Sequence, residues 1–267
     1  MKTSKQKPFA KKSFGQNFLV DQNIINKIIS ALNPQTGEII IEIGAGRGAL
    51  TEKLVESGAN VIAIEFEREM ITVLKNKFGQ KENISLIEQD ALKTDFNEIT
   101  MTKNQSPKPK LVANLPYNIA TAILQKLIEQ REVFSEMILM FQREVVGRIS
   151  AQVGSSERGF LSVLTQNYLS TETLFDVPPE AFRPMPKVWS SVMRLKPKAQ
   201  TVENIELFRK IISIAFAQKR KTILNNLKKE FAEAESILHQ CEIDTKRRAE
   251  TLTLEEWQKI CASTKSI

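Results

Sequence analysis

Histidine and cysteine are almost missing from this chain, and their scarcity removes several kinds of chemistry at the outset. One histidine, His239, and two cysteines, Cys241 and Cys261, stand among 267 residues. They provide neither a zinc-ligand spacing nor a disulfide framework. Metal catalysis and Cys/His or Ser/His nucleophilic catalysis are therefore not expected, and His239, in a helical apolar-polar stretch, reads as a structural residue. No apolar run reaches the ~18 residues of a membrane-spanning helix. The basic start, with Lys2, Lys5, Lys7, Lys11 and Lys12, leads into no signal-type apolar core. A cytoplasmic protein with no membrane partner is expected. Internal repeats and low-complexity tracts are also missing.

Hydrophobic residues make up 42% of the chain, enough to bury the core of one large domain plus a small one. The formal charge of +7 suits a polyanion such as nucleic acid, and equally an anionic membrane surface, so charge alone does not choose. From about Glu38 to Gln142, short apolar runs alternate with amphipathic stretches. The runs 39–43, 61–65, 84–88, 111–113 and 137–141 read as strands, and 49–57, 68–78 and 120–130 as helices. This rhythm predicts an α/β fold with a mostly parallel central sheet covered on both faces and ligands at the carboxyl ends of its strands. Residues 102–110 and 153–159 read as loops, and 171–177 and 190–195 as later strands. Pro197–Thr201 is the best linker, because beyond it Leu207, Ile211, Ala215 and Phe208, Ile212, Phe216 recur at helical spacing. A Rossmann-like domain over 1–198, with a basic arm at 1–12, and a small all-helical domain over 199–267 are expected.

Two segments carry the chemistry. Gly44-Ala45-Gly46-Arg47-Gly48 follows the strand at 39–43 and lets backbone approach a ligand closely. Its G-x-G-x-G spacing lacks the last interval of the dinucleotide fingerprint, and a glycine turn alone is weak evidence. Glu65 ends the next strand, where a carboxylate can accept from both ribose hydroxyls, and Asp90 follows the third, where it can accept from an adenine amine. Helix capping explains either acid equally well. Glu67 and Asp95 read as caps, and Glu42 as a residue that orients the turn. The second segment is Asn114-Leu115-Pro116-Tyr117. An amine on an aromatic ring is a poor nucleophile, and the Asn114 side-chain oxygen with the Leu115 carbonyl are acceptors suited to a pyramidal nitrogen. Pro116 biases Leu115 toward extended backbone, and Tyr117 offers a flat face for a base. A strand end followed by a helix start also produces Asn-x-Pro, but beside the glycine turn the pair points to methylation of a base nitrogen.

At these motifs the chain resembles the ribosomal RNA adenine N6,N6-dimethyltransferase family over nearly its whole length. Ser13-Phe14-Gly15-Gln16-Asn17-Phe18-Leu19 and Ala181-Phe182-Arg183-Pro184-Met185-Pro186-Lys187-Val188 match two further family signatures. The resemblance implies S-adenosylmethionine as cofactor, with Asn17, Leu19, Gly44, Gly46, Glu65, Asp90 and Asn114 around it. It also implies a target-base sandwich of Tyr117 and Phe182; without it, a phenylalanine in a proline-rich turn reads as a loop anchor. Phe216-Ala217-Gln218-Lys219-Arg220-Lys221-Thr222, then Asn225-Asn226-Leu227, together with Leu115, is similar to the bacterial small-subunit branch rather than to the antibiotic-resistance methylases of large-subunit RNA. The loop 153–159 lacks the proline and tyrosine of that branch. The implied partner is small-subunit ribosomal RNA within an assembly particle, and the expected state a monomer. Lys219, Arg220, Lys221, Lys228, Lys229, Arg247 and Arg248 are candidates for RNA phosphates, though any one also fits a solvated helix face. A large-subunit methylase, a non-catalytic RNA-binding assembly factor and a nicotinamide oxidoreductase remain as alternatives, the last without a plausible acid for hydride chemistry.

Overall fold

The computed structural model describes residues 17–100, 107–199 and 201–264, so the basic arm expected at 1–12, Ser13–Gln16 of the first signature and most of the loop expected at 102–110 lie outside the described residues. Along the chain come β1 (Phe18–Leu19), α1 (Gln22–Leu32), β2 (Ile39–Ile43), α2 (Ala49–Glu56), β3 (Asn60–Glu65), α3 (Arg68–Phe78), β4 (Ile84–Glu88) and α4 (Phe96–Thr100). Next are β5 (Lys110–Asn114), α5 (Ala120–Glu129), β6 (Glu136–Gln142), α6 (Arg143–Ile149), α7 (Phe160–Tyr168), β7 (Leu169–Val177), β8 (Phe182–Arg183) and β9 (Ser190–Pro197). The helices α8 (Ile205–Ala215), α9 (Ile223–Leu227), α10 (Ala234–Gln240) and α11 (Leu254–Thr264) complete the described chain.

Seven strands form one sheet in the order β4-β3-β2-β5-β6-β9-β7. The pairs from β4 through β6 are parallel, and β9 runs antiparallel to β6. The central strands are apolar because both faces of a parallel sheet are covered: Ile40, Ile41 and Ile43 of β2 and Leu111, Val112 and Ala113 of β5 are all buried. In α3, Met70, Ile71, Leu74 and Phe78 are the buried positions, the one-sided spacing of a helix laid on a sheet. A second, two-stranded sheet pairs β1 with β8, Phe18 opposite Arg183 and Leu19 opposite Phe182.

The described residues form two compact units, but not as one cut near 198. One holds the chain up to Arg143 together with Glu172–Pro197; the other holds Glu144–Thr171 together with the chain from Lys198 onward. The chain passes from the first unit to the second between Pro197 and Lys198. What the linear reading missed is that α7 finds its partners among the C-terminal helices: the Tyr168 ring meets Phe208 edge-on at 5.9 Å, and Gln258 donates to Asn167 at 2.9 Å. Helices α1, α4, α6 and α7 had no counterpart in the sequence reading, and Lys110, expected in a loop, opens β5.

Candidate active site

Strand order reverses direction between β2 and β5, which opens a crevice at their carboxyl ends, the place where ligands collect in such sheets. The glycine turn leaves β2 on one side and Asn114 ends β5 on the other. Gly44 and Gly46 have φ of 72° and 54°, values that side chains seldom tolerate. A methyl group on Gly44 would lie 3.8 Å from the Asn114 carbonyl, and one on Gly46 would lie 3.2 Å from the Phe18 ring. The turn is thus pressed against both the end of β5 and the start of the described chain.

Glu65, at the end of β3, stabilises this turn from below. Its Oε2 accepts the Gly46 amide at 2.8 Å and its Oε1 the Glu67 amide at 2.9 Å. Burial raises its pKa, and the Glu67, Gly46 and Phe66 amides oppose that rise. Each carboxylate oxygen has further lone-pair capacity, so a ribose diol can donate to the same group. Behind it, buried Glu42 accepts the Thr51 hydroxyl of α2 at 2.6 Å. Burial pushes Glu42 up to about 7, against the Thr51 hydrogen bond and with a smaller push from Glu65. Glu42 therefore ties β2 to the helix beyond the turn.

Asn17, Phe18, Gly44, Gly46, Glu65, Asn114, Leu115, Pro116 and Tyr117 line one small cavity. The Asn114 carboxamide donates through Nδ2 to the Asn17 carbonyl at 3.3 Å, which makes Oδ1 its acceptor end. A neighbouring cavity of about 210 Å³ is mostly apolar, walled by Ile43, Ile64, Phe66, Ala91, Pro116, Ile119 and Ile123, with Glu65, Glu67 and Asp90 as its acids. Asp90 also accepts the Leu92 amide at 3.0 Å, which closes a turn before α4 and caps no helix, while it lines the cavity. Leu19 is buried and borders a third cleft with Gly44, Gly46 and Asn114. An apolar slot with a glycine turn at one end and the Glu65 and Asp90 carboxylates among its lining fits the adenosine and sulfonium ends of S-adenosylmethionine. Phe66, 61% exposed and missed by the sequence reading, is the aromatic wall of that slot. Its one sequence signal is an apolar residue placed directly after the acid that ends β3.

Tyr117 is half-buried, its hydroxyl 2.6 Å from Ser190 Oγ. Burial raises the phenol's pKa despite that hydrogen bond, so it stays protonated and is a poor base. Phe182 differs from it in exposure. The ring is fully buried with Leu19, Ile24 and Ala181, because pairing of β8 with β1 turns the residue inward. With none of its surface exposed, the Phe182 ring is packed in the core, whereas the sequence reading expected it opposite Tyr117.

The basic residues divide as well. Lys219, Arg220, Lys221, Lys228, Lys229 and Arg248 are exposed. Arg247 is committed elsewhere: its guanidinium grips both oxygens of Glu256 and donates to the Thr251 carbonyl at 2.6 Å. This internal ion pair sets it apart from the other candidate phosphate contacts. Among the described residues no cluster of three or more His, Cys, Asp or Glu could hold a metal ion, and no helix is long and apolar enough to cross a membrane.

Residues 9–265 match the family described as ribosomal RNA adenine dimethylase. The chain is 39% identical to ribosomal RNA small subunit methyltransferase A of Hahella chejuensis, covering 94% of this chain and 91% of that one. With the protein of the same name from Saccharophagus degradans it shares 40% identity, over 93% and 92% of the two chains. Among solved structures it is similar to a dimethyladenosine transferase from Plasmodium falciparum, with a TM-score of 0.79, 27% identity and coverage of 93% and 98%. The 23S rRNA methyltransferase ErmE, at 22% identity and a TM-score of 0.67 over 92% and 99%, shares the fold.

Proposed function

Because the chain belongs to the ribosomal RNA adenine dimethylase family, we propose that it transfers methyl groups from S-adenosylmethionine to N6 of two adjacent adenosines near the 3′ end of small-subunit ribosomal RNA, contributing to ribosome assembly. It acts as a monomer in the cytoplasm on an assembling small-subunit particle. The observation that carries the reading is the place of Asn114, between the glycine turn and Tyr117, with Nδ2 tied to the Asn17 carbonyl and Oδ1 left as the acceptor.

S-adenosylmethionine would supply an electrophilic sulfonium methyl and depart as the neutral thioether S-adenosylhomocysteine. Glu65 and Asp90 would accept from its nucleoside, the apolar slot with Phe66 would take the adenine, and the backbone at Gly44 and Gly46 would leave room for the sulfonium end. The target base leaves its stack, as base-modifying enzymes require, and lies on Tyr117. Its amine then donates to Asn114 Oδ1 and the Leu115 carbonyl, which draws the nitrogen lone pair out of conjugation and aims it in line. Positioning and fixed dipoles do most of the work. No side chain need act as base, since the methylated nitrogen is cationic and loses its proton readily to water. Exposed Lys219, Arg220, Lys221, Lys228 and Arg248 hold RNA phosphates. The direct test incubates undermethylated small subunits with labelled S-adenosylmethionine and looks for N6,N6-dimethyladenosine among the nucleosides.

A further inference from the structure

We propose that Trp189 is the stacking platform for the nucleotide next to the adenosine being methylated, so that one target base lies on Tyr117 while its neighbour rests on the indole. The proposal rests on the function given above and names where the second base waits.

The chain has two tryptophans. Trp257 is fully buried, whereas Trp189 is 47% exposed. Leaving that much indole in water forgoes burial energy that a tryptophan ordinarily gains. The residue is nevertheless held firmly. Its carbonyl accepts the Arg143 amide at 2.9 Å, one step beyond the β6–β9 register in which Gln142 faces Ser190. The backbone is thus fixed at the sheet rim while the ring stays accessible, so only side-chain torsions are left to be ordered on stacking.

Its location connects it to the target site. Trp189 directly precedes Ser190, whose hydroxyl lies 2.6 Å from that of Tyr117. The Trp189 backbone is therefore one residue from the side chain that bonds Tyr117, at the start of β9. The surrounding stretch Arg183–Trp189 carries Arg183 and Lys187 and no acid, and both cations are exposed. The Arg143 guanidinium, 65% exposed, lies 3.5 Å from Asp176. An exposed indole in a chain stretch that carries Arg183 and Lys187 matches a single-stranded nucleotide, whose base stacks and whose phosphate is anionic. Met185, Val188 and Trp189 are the exposed large apolar side chains of this stretch, few for the apolar centre of a protein interface.

The test compares the wild type, Trp189→Ala and Trp189→Phe. With small subunits as substrate, Trp189→Ala should raise KM about five- to hundredfold, the range for one lost base stack, with the loss falling on KM rather than kcat. Trp189→Phe should recover most of it. Unchanged S-adenosylmethionine affinity and unfolding midpoint establish that the variants fold. Independently, a short single-stranded RNA with two adjacent adenosines should quench the wild-type indole emission and leave that of Trp189→Phe, which retains only Trp257, unaltered. Wild-type KM in Trp189→Ala, or RNA binding by anisotropy without quenching, overturns the proposal, as does quenching by RNA-free ribosomal proteins in place of RNA. If the wild type methylates no small subunits, the function above fails, and the quenching still decides whether Trp189 stacks on RNA.

Discussion

Glu65 and Gly46, nineteen residues apart, are joined by a 2.8 Å hydrogen bond from the glycine amide to the buried carboxylate. The acid expected to meet a ribose is thus also part of the turn's own support. Glu65→Ala should weaken S-adenosylmethionine binding by about 1–3 kcal/mol, and should lower stability as well, because the Gly46 and Glu67 amides lose their acceptor. Calorimetry paired with urea unfolding reads both effects. Unchanged cofactor affinity would remove Glu65 from the site.

Glu42 makes stability depend on pH. Folded, it holds its proton up to about pH 7; its ordinary value is 4.5. Between these values the folded state binds more protons than the unfolded one, so this residue's contribution is full below the window and is lost as pH rises through it. The shift corresponds to about 3 kcal/mol. Urea midpoints measured at pH 5 and pH 8 should separate less in Glu42→Gln than in the wild type. An equal pH response in the two proteins would mean that Glu42 does not titrate in this range.

Neutralising Lys219, Arg220 and Lys221 together should weaken binding to small-subunit RNA and reduce the slope of log K against log salt by about 2. Arg247→Ala should behave differently. It breaks the grip on Glu256 and the Thr251 carbonyl, so its effect should appear in unfolding at about 1–3 kcal/mol with the salt slope unchanged. A reduced slope for Arg247→Ala would return that residue to the RNA surface.

Much of the sheet could be read directly, since β2, β4 and α3 have the very limits that their apolar runs suggest. Helix α1 was equally available and overlooked: Asp21 caps it by accepting the Asn23 and Ile24 amides, and Ile24, Ile25, Ile28 and Leu32 form its buried stripe. Other features depend on distant pairings that no local pattern carries. Phe182 turns inward through the pairing of β8 with β1, and Arg247 is occupied by a glutamate on α11. The candidate site was legible where a motif supplies backbone geometry, as at Gly44, Gly46 and Asn114. It was not legible at Phe66 or Trp189, whose significance is that they remain exposed.

Tyr117→Ala should weaken capture of the target base by about 1–3 kcal/mol. Tyr117→Phe keeps the ring and loses only the hydrogen bond to Ser190, so it should stay largely active. Equal defects in the two variants, measured as kcat/KM on small subunits, would assign the function to the hydroxyl and not to the ring.

The most direct measurement of the central claim is nucleoside analysis of undermethylated small subunits after incubation with labelled S-adenosylmethionine and either the wild type or Asn114→Ala. The wild type should produce N6,N6-dimethyladenosine in small-subunit RNA, and Asn114→Ala, folded by its unfolding midpoint, should produce it far more slowly. Label confined to large-subunit RNA, or Asn114→Ala working at the wild-type rate, would contradict the account.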